Sequence, residues 1–278
     1  MDIVSVIALV SAFGCICVAM LLDGGSLVSL IQLPAFIMVI GGTFSAVLLQ
    51  TPFRIFLHGM KMMSWVFFPP KDQAQEALDS ILEWVRISRR ESILALDKIA
   101  ESQDDPFTKQ GLQLVVDGVE ASQIRAVLET TIHTQEHHEH LALEIYEAMG
   151  GYAPTVGILG AVLGLITVMA NLGDPSKLGA GIATAFVATV YGVGAANLIF
   201  LPVANKLRVL VRWRVRKMDM VLEGLVGIAL MEKPMQLEMR LRSFVHGSET
   251  GKAAKVASEE DEIPQGRSGE ILPQSRSA

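Results

Sequence analysis

Four long stretches of the sequence contain no Asp, Glu, Lys, Arg or His, and they constrain the fold more than any other feature. They cover Ile3–Leu22, Ile31–Phe53, Gly151–Gly173 and Leu178–Asn205. At about 1.5 Å rise per residue, each is long enough to cross the ~30 Å hydrocarbon core of a membrane. The hydrophobic fraction of 51% agrees with this interpretation. The sequence therefore predicts an all-α membrane protein with four transmembrane helices.

The connections between these stretches are unequal in length. Residues 23–30 and 174–177 are short loops, so the helices form two hairpins, whereas roughly a hundred residues separate the second helix from the third. Basic residues follow the second and fourth helices: Arg54, Lys61, Lys71, Lys206, Arg208, Arg212, Arg214, Arg216 and Lys217. By the positive-inside rule, the long insert and both termini are cytoplasmic.

Five segments follow from this layout. Residues 1–53 and 149–205 are the two transmembrane hairpins. Residues 54–148 alternate apolar and charged residues at helical spacing, as in AQEALDSILEWVRI, and predict a helical cytoplasmic domain. Residues 206–245 continue the fourth helix into a long cytoplasmic helix, broken near Pro234. Residues 246–278 are polar and rich in Gly, Ser and Pro, which predicts a disordered tail.

Small residues recur along the third and fourth helices. Gly157, Gly160 and Gly164 lie in the third, and Ala180, Thr184, Ala188, Gly192 and Ala196 recur every four residues in the fourth. Such residues let helix backbones approach closely in lipid. The same spans hold polar side chains that need partners: Thr155, Thr167, Thr184, Thr189 and Asn197. Packing within the chain and the lining of a polar pathway both remain open.

The spans lack the ionisable group that proton relays and cation sites in membranes use. If the chain conducts ions, the titrating side chain belongs to another molecule. Pro154 is expected in the first turns of the third helix and Pro202 near the end of the fourth, both at the cytoplasmic face. A proline at a helix start is simply tolerated, whereas two prolines at one face also suit a pair of hinges.

The motifs GYAPTVGILGAVLGLI, PAFIMVIGGTFSAVLL, AFVATVYGVGAANLIFLPVANKL and SRRESILALD, with this topology, resemble the MotA/PomA subunits of the bacterial flagellar stator. That family is related more distantly to the ExbB and TolQ energiser proteins. The resemblance covers about residues 1–240. It implies a stator subunit of the inner membrane that is not an enzyme and that couples ion flow to torque.

The resemblance also implies partners and site residues. The partners are further copies of the chain in a ring of five, a single-span MotB/PomB-like subunit whose aspartate carries the ion, and the rotor protein FliG. Pro154 and Pro202 match the prolines that couple ion movement to conformational change. Arg89, Arg90 and Asp97 match the charged residues that contact FliG, although relatives often have Glu in place of Asp97.

Ion choice is implied by two further positions. Sodium-driven relatives carry threonine seven residues after the first proline and another in the fourth helix, and here these positions are Ala161 and Thr189. Because only one of these two positions supplies a threonine oxygen, protons are the expected ion and sodium is the alternative. Thr155 and Thr184 complete the residues assigned to the ion path.

Other functions have little support in the sequence. His133, His137, His138 and His140 lie in Glu-rich surroundings without a recognisable third ligand, so no metal site or cofactor is predicted. A net charge of -6 gives no nucleic-acid footprint. Two rivals stay open: an ExbB/TolQ-like energiser, which the extra hairpin at residues 3–53 disfavours, and a self-sufficient channel, which the charge-free spans disfavour.

Overall fold

The computed structural model describes residues 2–70 and 73–245, apart from the side chains of residues 175–177, and this part of the chain is helical without a β-strand. The predicted disordered tail lies outside the described residues. Four of the helices are long and apolar enough to cross a membrane: Ile3–Leu22, Leu27–Gln50, Ala121–Ala170 and Leu178–Ala229. The all-α membrane fold class is therefore confirmed.

The first two spans form a hairpin. Helix α1 covers Ile3–Leu22, and a short 3₁₀ turn at Leu27–Leu30 leads into the second span. That span is one rod made of α2 (Leu33–Phe36), a π-helical turn (Ile37–Gly41) and α3 (Gly42–Gln50). It ends before Thr51-Pro52, because proline disfavours a helical residue ahead of it. The rod is thus slightly shorter than the charge-free stretch.

Four helices follow before the third span. They are α4 (Phe53–Phe67), α5 (Ala74–Arg90), α6 (Asp97–Ser102) and α7 (Pro106–Val116), with a 3₁₀ turn at Ile93–Leu96. Helix α5 shows why the pattern folds as it does, since its buried residues recur every three or four positions: Ala77, Leu78, Ile81, Trp84, Val85 and Ser88. Its last turn carries Arg89 and Arg90, which favour the negative end of the helix dipole.

The third span is the upper part of a much longer helix. Helix α8 runs unbroken over 50 residues, Ala121–Ala170, from the helical insert through the third span. Pro154 is therefore inside this helix, and its expected place in the first turns of a helix is wrong. The apolar face that holds Ile124, Leu128 and Ile132 in the core continues through Leu143 and Tyr146. The helix therefore does not end where it enters the membrane.

The fourth span also continues beyond the membrane, on the side that the basic residues predict to be cytoplasmic. Helix α9 (Pro175–Ala195), a π-helical turn (Ala196–Phe200) and α10 (Leu201–Ala229) follow one another without a break. The chain turns at residues 230–233, and residues 234–245 form a last helix, α11.

The cytoplasmic core is shared between the insert and the C-terminal helices. Its buried residues come from α5, the 3₁₀ turn, α6, α7, α8, α10 and α11, and include Ile81, Leu112, Ile124, Leu128, Leu225 and Leu237. A second core below the membrane joins α4, α8 and α10, and there Tyr146 donates a hydrogen bond to the Gly59 carbonyl at 2.9 Å. Residues 54–148 and 206–245 therefore fold as one unit, where the sequence pattern suggested two.

Candidate functional site

The third and fourth spans meet backbone to backbone. A Cβ atom added at Gly157 would lie 2.9 Å from the Ala188 carbonyl oxygen and 3.1 Å from the Gly192 Cα. One added at Gly192 would lie 2.5 Å from the Ala153 carbonyl oxygen. Only glycine fits at these positions, because a backbone atom on the other helix cannot move aside.

The close contact between the third and fourth spans continues toward the ends that are farther from Pro154. A Cβ atom at Gly160 would lie 2.8 Å from the Ala188 Cβ, and one at Gly164 would lie 2.9 Å from the Ala185 Cα. The small residues of the two spans thus face each other within one chain. They make a rigid helix pair, and the contacting faces are closed to any ion.

Pro154 removes one backbone hydrogen bond from α8. Proline has no N–H, so the carbonyl of Gly150 loses its partner four residues ahead. A Cβ atom at Gly150 would lie 2.5 Å from the Leu201 side chain, so this free carbonyl lies where α8 packs on the start of α10. The helix continues through Pro154, but its hydrogen-bond ladder is weakest at the cytoplasmic end of the span.

Pro202 produces a matching weak point in the fourth span. It is the second residue of α10 and lies two positions after the π-helical turn Ala196–Phe200, a geometry that often accompanies a missing ladder bond. Leu201, the neighbour of Pro202, packs on Gly150, which lies four residues before Pro154. Along the direction that crosses the membrane, the two prolines are therefore roughly one helical turn apart. The structure thus brings together two breaks that are 48 residues apart in the chain.

A cavity beside Pro202 leaves room for movement there. It has a volume of about 440 Å³ and lies between α1, α4 and the junction of α9 with α10. Its lining is mostly apolar and includes Leu9, Met63 and Val203 as well as Pro202. Helix α1 has no buried residue, so the first span packs loosely on this side of the molecule.

The threonines differ in how their hydroxyls are used. Thr155 donates to the carbonyl of Tyr152 at 2.8 Å, and Thr184 donates to the carbonyl of Ala180 at 2.9 Å. Within the described part of the chain, the hydroxyl of half-buried Thr189 makes no hydrogen bond. Inside a membrane such a group needs a partner from elsewhere. Ala161, the other position of the pair, is also half-buried.

Arg89 and Arg90 have different surroundings at the far end of the cytoplasmic domain. Arg89 Nη2 donates to the carbonyls of Met231 and Glu232, at 2.7 and 2.9 Å, where α10 ends. It therefore ties the end of α5 to the turn between α10 and α11, a contact that the sequence did not reveal. Arg90 is exposed and, among the described residues, forms no hydrogen bond or ion pair. Asp97 is half-buried in the first turn of α6, where a carboxylate favours the helix dipole.

The sequence pattern did not reveal a junction at the ends of the spans nearest the helical insert. Lys206 donates hydrogen bonds to the Asp2 carboxylate, the Ser5 hydroxyl and the Val66 carbonyl, and so joins α1, α4 and α10. The hydrogen bond from Lys206 holds the pKa of the Asp2 carboxyl below its usual value. In the sequence, Lys206 is one of the basic residues after the fourth span, and only its position one turn after Pro202 indicates a special role.

Ion pairs tie the cytoplasmic helices together. Arg125 pairs with Glu223 at 2.6 Å, Arg240 with Glu223 at 3.4 Å, and Arg240 with Glu232 at 3.0 Å. Closer to the membrane, Arg214 pairs with the buried Glu139 at 2.7 Å. Among the described residues, no group of three or more His, Cys, Asp or Glu side chains is placed to hold a metal ion.

Known proteins with this arrangement bear directly on its function. The family model described as the MotA/TolQ/ExbB proton channel family matches residues 99–220. Motility protein A of Helicobacter pylori is 32% identical over 254 residues, which covers 91% of this chain and 98% of that protein. The chain belongs to the motility protein A family.

Solved structures of the motility protein A family share the fold over most of its length. The C. jejuni MotAB structure has a TM-score of 0.83 at 30% identity and covers 88% of this chain and 96% of its own. The flagellar MotAB stator complex of Bacillus subtilis has a TM-score of 0.79 at 31% identity, and the match covers 90% of this chain and 98% of the matched chain. The protein is a multi-pass inner-membrane subunit of the flagellar stator and not an enzyme.

The same similarity decides between the rival functions. The relatives that span nearly the whole chain, including the hairpin at residues 3–53, are motility proteins, so the ExbB/TolQ-like alternative is not favoured.

Proposed function

We propose that this motility protein A subunit assembles with a MotB/PomB-like single-span partner and couples inward proton flow to torque on the rotor protein FliG. Both solved relatives are MotAB complexes, which supports such a partner. The absence of any ionisable side chain from the four charge-free stretches supports it independently. The partner supplies the carboxylate that loads and releases the ion, since ionisable groups inside membranes mark ion pathways and proton relays.

The observation that carries this proposal is the pair of prolines at one end of a rigid helix pair. The glycine contacts between Gly157 and Gly192 prevent α8 and α9 from sliding past each other. Movement is therefore concentrated where the hydrogen-bond ladders are interrupted, at Pro154 and Pro202. Because α8 and α10 both continue into the cytoplasmic core, a bend at these points moves the whole cytoplasmic unit.

The side chains along the path favour protons over sodium. A bare sodium ion is a hard cation that needs several oxygen ligands, as other hard cations do. Thr155 and Thr184 donate their hydroxyl hydrogens to their own helices, which leaves the oxygens able to face a cation, so these two residues do not decide between the ions. Ala161 favours protons, because it offers no oxygen where sodium-driven relatives carry threonine, and Thr189 supplies only the other oxygen of that pair.

The cytoplasmic unit carries the torque-generating contact in this proposal. Arg90 is free to pair with an acidic group of FliG, and Asp97 offers the opposite charge on the following helix. Arg89 holds the end of α10 beneath them. Five copies form the ring, with the insert and both termini in the cytoplasm, following the resemblance and the distribution of basic residues.

The test of this function is motility in a host without stators. Cells that express the chain with its partner should swim, should stop when a protonophore is added, and should keep swimming when sodium is replaced by potassium. Swimming that follows the sodium gradient and ignores the protonophore would show that the ion assignment is wrong. Recovery of a TonB- or TolR-like protein as the single-span partner would overturn the stator proposal.

A further inference from the structure

A row of exposed apolar side chains lies at the end of the cytoplasmic unit. It consists of Leu230, Met231, Met235 and Met239, and we call it the methionine ridge. Met235 is 76% exposed and Met239 70% exposed, and the other two are more than half exposed. Met235 and Met239 are four residues apart on α11, so they share one face of that helix.

The packing of α11 holds these methionines outward. On the opposite side of the helix, Leu237 and Leu241 are fully buried in the cytoplasmic core. Gly227 makes room for this contact, since a Cβ atom there would lie 2.6 Å from the Leu237 Cδ1. The ridge is therefore a fixed surface of the folded domain, and its exposure does not come from a loose helix.

Exposed methionines in a row are well suited to contact another protein. Methionine is unbranched and polarisable, so it adapts to the shape of a partner and is frequent at binding surfaces. A contiguous exposed apolar patch with charged neighbours is typical of an interaction site. The ridge has such neighbours, because Glu232 and Lys233 lie in the turn that joins its two halves.

Direct contacts connect the ridge to the charged residues proposed to meet the rotor. Arg89 donates to the carbonyls of Met231 and Glu232, so the end of α5 and the start of the ridge are one surface. Arg90 is the next residue of that helix. Leu94, also largely exposed, lies in the 3₁₀ turn that leads on to Asp97.

The position of the ridge indicates which partner it meets. From Lys206 at the membrane face to Ala229, α10 extends for about 35 Å along its axis. The ridge thus lies at the end of the cytoplasmic unit that is farthest from the membrane. Lipid and the single-span partner's membrane segment cannot reach it.

We propose that the methionine ridge is the apolar half of the rotor contact, with Arg90 and Asp97 as its charged half. The occupant is a patch of apolar side chains on the rotor protein, bordered by charges that complement Arg90 and Asp97. Charge pairs at such a site set orientation and encounter rate, while burial of the apolar ridge supplies affinity. This inference rests on the proposed function, since it assumes that the chain drives a rotor.

The test uses photo-crosslinking in motile cells that express the full chain with its partner. A photoreactive phenylalanine analogue replaces Met235 or Met239 in turn, and Arg90 in a third strain. Gln110 on α7, which is exposed and belongs to neither half of the proposed contact, gives the matched control. The ridge proposal expects adducts with FliG from positions 235, 239 and 90, and none from position 110.

The outcomes separate the two proposals. Adducts with FliG from position 90 alone would overturn the ridge and leave the proposed function standing. Adducts from none of the three positions, in cells that swim, would overturn the rotor contact and the ridge with it. Adducts between two copies of this chain from positions 235 and 239 would show a subunit interface and overturn the ridge.

A second pair of variants tests the apolar character of the ridge. Replacing both methionines by serine, Met235→Ser with Met239→Ser, is expected to weaken rotor binding about tenfold, because two apolar contacts are lost. Replacing both by leucine is expected to preserve it. Torque at high load reports the difference, and equal torque from the two variants would overturn the proposal.

Discussion

Arg89 and Arg90 are adjacent in sequence, yet the structure gives them separate tasks. Arg89 holds the turn after α10 through two carbonyls, whereas Arg90 is exposed to solvent. We expect Arg89→Ala to lower the free energy of unfolding by about 1 kcal/mol, the usual contribution of such hydrogen bonds. Arg90→Ala should leave stability within about 0.5 kcal/mol, as surface substitutions do.

Two measurements on the purified protein and in cells separate these tasks. Thermal unfolding in detergent should register Arg89→Ala, and swimming speed should register Arg90→Ala. A loss of stability from Arg90→Ala that matches the loss from Arg89→Ala would contradict the division of roles.

The glycines of the fourth span offer a matched pair of substitutions. Gly192→Ala places a Cβ atom 2.5 Å from the Ala153 carbonyl oxygen, so the two spans must separate. Overpacking of this kind costs about 1–3 kcal/mol. Gly194→Ala, two residues away, meets nothing within 4 Å. We expect a lower melting temperature and lost motility from the first variant alone, and equal melting temperatures for both would contradict the close contact.

His58 gives stability a dependence on pH. Burial lowers the pKa of its imidazole below the usual 6.5, and the nearby His138, Lys61 and Arg214 lower it further. Its Nε2 atom is buried without a hydrogen-bond partner in the described chain, and its ring lies 4.7 Å from that of His138. The folded state thus favours neutral His58, so its contribution is present above pH 6.5 and is lost as pH falls through the lowered pKa.

The expected result is a melting temperature that falls between about pH 7 and pH 5 and falls less in His58→Phe. His133→Gln is the control, because His133 is 80% exposed. The account of His58 fails if the two variants show the same pH dependence as the unchanged protein.

The helices that cross the membrane are also the helices that build the cytoplasmic unit. Helix α8 runs for 50 residues without a break, and the fourth span continues into α10 through a π-helical turn. In the proposed function, a change at the membrane end is transmitted along these rods of secondary structure, with Pro154 and Pro202 as the places that bend.

Pro202→Ala tests whether that interruption is used. Alanine supplies the backbone N–H that proline lacks and has a high helix propensity, so the variant should be at least as stable as the unchanged protein. We expect motility to fall severalfold nonetheless, because the junction becomes stiffer. Pro106→Ala at the first position of α7 is the control, since proline there removes no helix bond. Full motility of the Pro202 variant would contradict the hinge.

Sequence alone established the four spans and the helical insert, because charge-free runs and 3.6-residue periodicity are local signals. It missed the continuity of α8, since the change from an amphipathic pattern to a wholly apolar one at Gly150 resembles a helix start. It also missed the contacts of Arg89 and Lys206, which join residues far apart in the chain. Such contacts depend on how the helices pack.

The cytoplasmic unit is one folding unit assembled from two separate parts of the chain. Leu237 is fully buried in a core shared with the insert. We expect Leu237→Ala to cost about 2–5 kcal/mol, as for other buried leucines, and to destabilise the insert as well as the C-terminus. Met239→Ala on the exposed face should cost almost nothing. Hydrogen exchange of α5 and α7 would report the effect, and unchanged exchange there would show that the core is not shared.

In the proposed function, the charge-free spans take their ion carrier from a second protein and convert carrier loading into bending at two prolines. The most direct measurement is rotation of tethered cells that express this chain with a partner whose membrane carboxylate is replaced by the matching amide. The expected result is normal assembly with no rotation. Rotation that persists with the amide partner, or with this chain alone, would contradict the account.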